Sequence, residues 1–138
     1  MAIIDTEIQY RLSGGASNSD PNASLGGAKS STAWVNNMFD DVSAAQATAG
    51  SIEYRCFYVH NANATLTLIA PKVWIVDNTP SPTTSIAIGI GTSALNGTEQ
   101  TIANEDTAPS GVVFTEPTNF AGGIVLGDIP ARRGDKGI

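Results

Sequence analysis

The sequence has 138 residues, which is enough for one domain with its own apolar core, and it predicts a single domain over residues 1–138. Its 13 acidic and 7 basic residues give a formal net charge of −6. This balance disfavours a nucleic-acid-binding protein, because contacts to phosphates need clustered lysine and arginine. Charged residues make up only 14% of the chain, which is typical of a loop-rich β protein or of a surface that a neighbouring molecule covers.

The first ten residues, MAIIDTEIQY, contain neither a basic stretch nor a long apolar run. We therefore expect no signal peptide and no contact with a membrane, and we expect synthesis in a cytoplasm. The single cysteine rules out a disulfide within one copy of the chain.

Residues 4–12 alternate in polarity, with Ile8, Tyr10 and Leu12 on one side, and this pattern predicts a half-buried strand. The next segment, residues 13–32, is rich in glycine and serine (SGGASNSDPNASLGGAKSST). Such a composition buries too little apolar surface to order a segment on its own. We therefore expect a long N-terminal arm that gains order against a partner, with a plain flexible loop as the alternative.

Residues 41–50 are the one candidate for a helix. Ser43 and Gln46 have the spacing of a capping box, and Gly50 stands where a helix would end. The intervening residues, AAQATA, have no bulky apolar face to bury, so we expect little or no helix in the fold.

Residues 51–77 carry the strongest hairpin pattern, two strands joined by a short turn rich in asparagine. Large apolar groups lie on both faces between Ile52 and His60, which predicts a central strand. Residues 84–91, 112–115 and 123–126 have the composition of further short strands. Seven or eight short strands with almost no helix predict an all-β fold, an antiparallel β-sandwich of the jelly-roll-like or immunoglobulin-like kind.

The spacing of the single cysteine and the single histidine excludes a catalytic pair of nucleophile and base. Cys56 and His60 are four residues apart on one strand face, about 13 Å at the rise of a strand, which is too far for a hydrogen bond. We expect Cys56 to be a small core residue and His60 to end a strand, bonded to the backbone. One histidine and one cysteine cannot form a structural zinc set, so we expect no metal, no cofactor and no enzyme. A hydrolase with paired carboxylates stays open as a minor alternative.

Four stretches carry a resemblance: EIQYRLSGGASNSDPNASLGG (7–27), EYRCFYVHNANATLTLIAPKVWI (53–75), IGIGTSALNGTEQTIANEDTAPSGVVF (88–114) and LGDIPA (126–131). Together they resemble small virion proteins of tailed bacteriophages that act as capsid decoration, or cement, proteins. The resemblance covers most of the chain and rests on overall pattern. Members of that family continue past LGDIPA into a further strand, where this chain has Lys136, Gly137 and Ile138. Within this resemblance, we expect either a shortened member or one that ends differently.

The resemblance implies a structural virion protein, made in the host cytoplasm, that binds the outer surface of the phage head. Its partners would be the major capsid protein and further copies of itself, as a dimer or trimer. Many weak contacts would add up by avidity. Within this hypothesis, the segment 13–32 supplies the contacts to the capsid or to neighbouring subunits. The candidate contact residues are Gly14, Gly15, Asn18, Pro21, Asn22, Leu25, Gly26, Gly27 and Trp34.

A second hypothesis is a phage adsorption or carbohydrate-binding module, carried on a fibre or head fibre. Such a module needs exposed aromatic side chains, and Trp34 and Trp74 are the obvious candidates. Trp74 lies in an apolar run and is expected in the core.

Overall fold

The computed structural model describes residues 2–34, 38–39, 41–76, 84–131 and 134–138. In chain order these contain a 3₁₀ turn (Asp5–Glu7), β1 (Ile8–Leu12), a second 3₁₀ turn (Pro21–Ala23), α1 (Ala44–Ala49), β2 (Phe57–Asn61), β3 (Lys72–Val73), β4 (Ile124–Val125) and β5 (Gly134–Gly137). The strands pair antiparallel in two small sheets, one with the order β1-β2-β5 and one formed by β3 and β4.

Strand β2 is the centre of the larger sheet, as its two apolar faces predicted. Tyr10 on β1 lies opposite Val59, and Val59 lies opposite Lys136 of β5. The strand predicted over residues 4–12 begins only at Ile8. The residues before it form a 3₁₀ turn, in which the Glu7 carboxylate accepts a hydrogen bond from the amide of Ile4 at 3.0 Å.

The predicted hairpin within residues 51–77 is wrong. Both edges of β2 are already paired, with β1 and β5, so no edge is open for the segment that follows. The Asn63 side chain turns that segment away by accepting hydrogen bonds from the amides of Thr65 (2.9 Å) and Leu66 (2.7 Å). Leu68 then forms a bridge with Ile129, and β3 pairs with β4 in the second sheet.

The fold is antiparallel and poor in helix, but a full sandwich of seven or eight strands is not formed by the described residues. The stretches expected as strands over residues 84–91 and 112–115 meet only at one bridge, between Ile88 and Thr115. Small residues on one side of the first stretch allow this close approach, because a Cβ at Gly89 would collide with Val112 and Val113.

Helix α1 forms at the capping pattern, although residues 44–49 have no bulky apolar face that would stabilise a helix. Ser43 Oγ accepts a hydrogen bond from the amide of Gln46 at 3.2 Å, and Gln46 Oε1 accepts one from the amide of Ser43 at 2.9 Å. Gly50 ends the helix with a φ of 76°. No helix residue is buried, so the caps rather than the core define this element.

The apolar core is small and lies against the face of β2 that carries Val59. Leu126 and Ile129 are buried with Val59, and Leu68 and Val73 are among the half-buried residues that pack on them. Buried polar side chains surround this core. Asn61 is fully buried, and its Nδ2 donates to the carbonyl oxygens of Leu66 (2.8 Å) and Ile129 (2.9 Å).

We predict that Asn61→Ala lowers the free energy of unfolding by about 2–4 kcal/mol, because it removes a buried side chain that donates to Leu66 O and Ile129 O and accepts from the amide of Asn63. Asn119→Ala is the control. Asn119 is exposed and accepts one bond, from the amide of Gly122 at 2.9 Å, so its loss should cost less than about 1 kcal/mol. Urea denaturation of both variants measures the difference. Equal costs would contradict a structural role for the buried amide.

Candidate interaction surface

The segment expected to be an arm is a folded loop, which we call the serine loop (residues 13–32). Its ends meet at β1, where the amide of Leu12 donates to Thr32 O at 3.1 Å and the amide of Ser30 donates to Leu12 O at 2.7 Å. Ser13, Ser24 and Ser30 have no exposed surface. The expectation of an arm that is ordered only by a partner is therefore corrected.

Hydroxyl groups and backbone groups hold the serine loop on the sheet. Ser13 Oγ donates to Cys56 O at 2.8 Å and accepts from the amide of Gly26 at 3.1 Å. The amide of Cys56 donates to Ser24 O at 2.8 Å. Small hydroxyl groups can be buried at low cost when each has a hydrogen-bond partner, so the low apolar content of the segment does not prevent it from folding. No sequence pattern distinguishes these serines from solvent-exposed ones.

Asn18 fixes the interior of the serine loop. Its Nδ2 donates to Ser13 O at 2.6 Å and to Asp20 O at 3.0 Å, while its Oδ1 accepts from the amide of Asp20 at 3.0 Å. The Asp20 carboxylate in turn accepts from the amide of Asn22 and caps the short 3₁₀ turn that begins at Pro21. Asn18, expected to contact a partner, thus has an internal structural role.

The nine residues predicted to contact a partner are not equally accessible. Gly26 is buried, and only Gly14 and Asn22 are exposed. The other six are half-buried: Gly15, Asn18, Pro21, Leu25, Gly27 and Trp34. A contact through the serine loop would therefore use its exposed residues, such as Gly14 and Asn22, rather than its whole length.

Trp34 belongs to an aromatic cluster at one end of the larger sheet. Its ring centroid lies 5.0 Å from that of Phe57 and 6.0 Å from that of Tyr10. The amide of Trp34 donates to Tyr10 O at 2.7 Å, so the residues after the serine loop run beside β1. The edge-on contact with Tyr10 and the tilted contact with Phe57 are both favourable and give Trp34 a packing role.

The opposite face of β2 carries Tyr58, whose hydroxyl joins two distant segments. It donates to Gly27 O at 2.7 Å and accepts from the amide of Glu99 at 2.9 Å. The Glu99 carboxylate is buried and accepts hydrogen bonds from the amide and the hydroxyl of Ser93. A Cβ at Gly91 or Gly137 would overlap this carboxylate.

A half-open apolar cleft of about 40 Å³ lies beside Glu99 and Cys56. Leu25, Ile102 and Val112 are among its lining residues. Burial, and secondarily the nearby charge of Glu99, raise the pKa of the Cys56 thiol to about 12. The thiol is therefore protonated at neutral pH and is not a nucleophile.

The second residue tested for catalysis, His60, is buried at the end of β2. Its Nδ1 lies 3.2 Å from Lys29 Nζ. In the described part of the chain, no three histidine, cysteine or acidic residues are placed to hold a metal ion. The same residues contain no helix long and apolar enough to cross a bilayer.

We compared the chain with known protein families, curated proteins and solved structures. No family profile, curated protein or solved structure matches this chain.

We predict that Gly26→Ala destabilises the protein far more than Gly15→Ala. Both residues have positive φ angles, 102° and 107°, so both substitutions carry the backbone strain of about 1–2 kcal/mol. Only at Gly26 would the new Cβ also overlap the backbone of Gln100. Denaturation curves of the two variants measure the effect. A loop that is not packed on the protein would give the two substitutions the same small cost.

We also predict a pH dependence that originates in Cys56. The folded state holds the thiol proton more tightly than the unfolded state, whose thiol ionises near its ordinary pKa of 9.0. This contribution to stability is complete below pH 9 and is lost as the pH rises towards 12. The free energy of unfolding should fall more steeply between pH 8.5 and 11 in the wild type than in Cys56→Ala. Parallel curves would exclude the raised pKa.

Proposed function

We propose that this protein is a structural virion protein of the capsid decoration type, bound to the outer surface of a phage head. It would stabilise the contacts between major capsid subunits. The observation that carries the proposal is the distribution of apolar side chains. Among the described residues, six large hydrophobic side chains are buried, whereas thirteen are exposed. Where such side chains form a contiguous patch, they suit a protein that completes its burial against other molecules.

The accessible surface supports the same interpretation. The chain exposes 8108 Å². A compact monomer of this mass, 14.2 kDa, exposes about 6,800 Å² by the usual scaling of surface with mass. The protein thus has about a fifth more surface than a monomer of its size needs, which suits a subunit of a larger assembly.

The folded serine loop suits this role in a different way from a flexible arm. A segment that is already ordered loses little conformational entropy when it binds, so each contact keeps more of its free energy. Many copies on one shell would add weak contacts into firm attachment. We further infer that the two sheets are the layers of a reduced jelly-roll-like sandwich, because Val59 of one and Val73 of the other pack on a common core.

The proposal predicts how many copies a virion contains. Quantitative mass spectrometry of purified virions should find this chain in a number commensurate with the capsid lattice, in a fixed ratio to the major capsid protein. The tail tube protein of the same particles is the internal control for stoichiometry. A few copies per virion would contradict the proposal and favour a tail or fibre component.

The alternative, a carbohydrate-binding module, depended on Trp34 and Trp74 as platforms. Trp34 is engaged in the aromatic cluster. Trp74 is half-buried, and its ring packs edge-on against the exposed ring of Phe120, with the centroids 5.7 Å apart. A glycan array with the wild-type chain and Trp34→Ala separates the two functions, since a decoration protein should bind no glycan in either form.

A further inference from the structure

The outward face of the smaller sheet carries an apolar patch with one positive charge. We call Trp74, Phe120, Val125 and Lys72 the β3–β4 patch. Phe120 is 63% exposed and Val125 is 48% exposed. Lys72 Nζ lies 4.5 Å from the centroid of the Phe120 ring and donates to Phe120 O at 3.3 Å. The ring of Phe120 thus lies between a tryptophan and an ammonium group.

The pairing of β3 with β4 explains why these side chains face outward. Val73 lies opposite Ile124, and both pack on the buried core. Side chains alternate along a strand, so the next pair, Lys72 and Val125, lies on the other face of the sheet. The pairing therefore exposes Val125 at a position where a polar residue would cost nothing to the fold.

The charge of the patch limits what can cover it. Arg55 pairs with Glu53 and Glu105, whereas Lys72 forms no ion pair with the described residues. An ammonium group has three hydrogen-bond donors, and one is used for Phe120 O. The β3–β4 patch therefore combines an apolar surface with a positive charge, although the net charge of the chain is −6.

We propose that the β3–β4 patch docks on a protein partner that places apolar side chains against Phe120 and Val125 and a carboxylate beside Lys72. This inference rests on the proposed function, in which the partner is the major capsid protein. A buried aromatic ring with a charged pair at its rim is the usual composition of an interface centre. The carboxylate would also orient the incoming surface, because complementary charges favour one arrangement over others.

A second copy of this chain fits the patch less well. In a two-fold symmetric contact the same patch lies on both sides, so two Lys72 ammonium groups and no carboxylate of the patch would lie in one interface. Like charges brought together away from water are unfavourable. A partner with an acidic group removes this cost.

The test uses two matched substitutions in the full chain, Val125→Ser in the patch and Val113→Ser outside it. Val113 is 77% exposed and lies beside Gly89. Purified variants are titrated against phage heads from which the protein is absent. We expect Val125→Ser, and independently Phe120→Ser, to weaken binding by about tenfold or more, because the apolar contact is lost. Val113→Ser should bind like the wild type, and the thermal transitions of all three should agree within a few degrees.

Lys72→Met tests the charge, since it keeps the apolar stem of the side chain. We expect weaker binding and a flatter dependence on salt concentration than in the wild type, because the screened ion pair is gone. Equal binding of Val125→Ser and Val113→Ser would overturn the patch but leave the proposed function standing. Failure of the wild type to bind heads would overturn both. Loss of self-association in Val125→Ser, measured by sedimentation, would assign the patch to a second copy and overturn the inference.

Discussion

The hydroxyl group of Tyr58 is the contact on which the arrangement of the other segments depends. The side chain is 1% exposed, yet its oxygen both donates to Gly27 O and accepts from the amide of Glu99. The amide of Gly27 donates to Glu99 O at 3.0 Å and closes the group of bonds. The serine loop, the segment at Glu99 and the central strand are thereby fixed to one another. Without the hydroxyl, a buried carbonyl and a buried amide would lose their partner, at a cost that a small protein cannot easily absorb.

Polar contacts of this kind replace part of the hydrophobic core. Ser13, Ser24 and Asn61 occupy fully buried positions where a larger domain would use aliphatic side chains. Their hydrogen bonds give the chain a defined conformation, because each bond satisfies a particular donor and acceptor. The consequence appears on the outside. Side chains such as Val125 and Phe120 are left at the surface, where the proposed function would use them as contact area.

The sequence predicted features that short-range physics determines and missed those that depend on distant partners. The two apolar faces of β2 marked a central strand, and the capping pair Ser43 and Gln46 marked where a helix could begin, because both signals act within a few residues. The residues between the caps led us to expect little or no helix, and a short α1 forms. The hairpin failed because the competing partner of β2 was β5, at the far end of the chain. The prediction of an arm over residues 13–32 was wrong for the same reason. The Ser13 hydroxyl is held by a hydrogen bond to Cys56 O, 43 residues away, and no local sequence pattern predicts that bond. The residues of the β3–β4 patch are likewise assembled from separate segments.

Order in the free protein has a consequence for how a decoration protein could attach. An arm that folds on its target spends part of the contact free energy on its own ordering. Here Asn18 and the buried serines hold the serine loop in the free protein, so the loop has already lost its conformational entropy on folding. In the proposed function, attachment would then rely on rigid surfaces of modest size, such as Phe120 and Val125 beside the charge of Lys72. Each such contact would be weak, and repetition over the shell rather than the strength of one site would hold the protein in place.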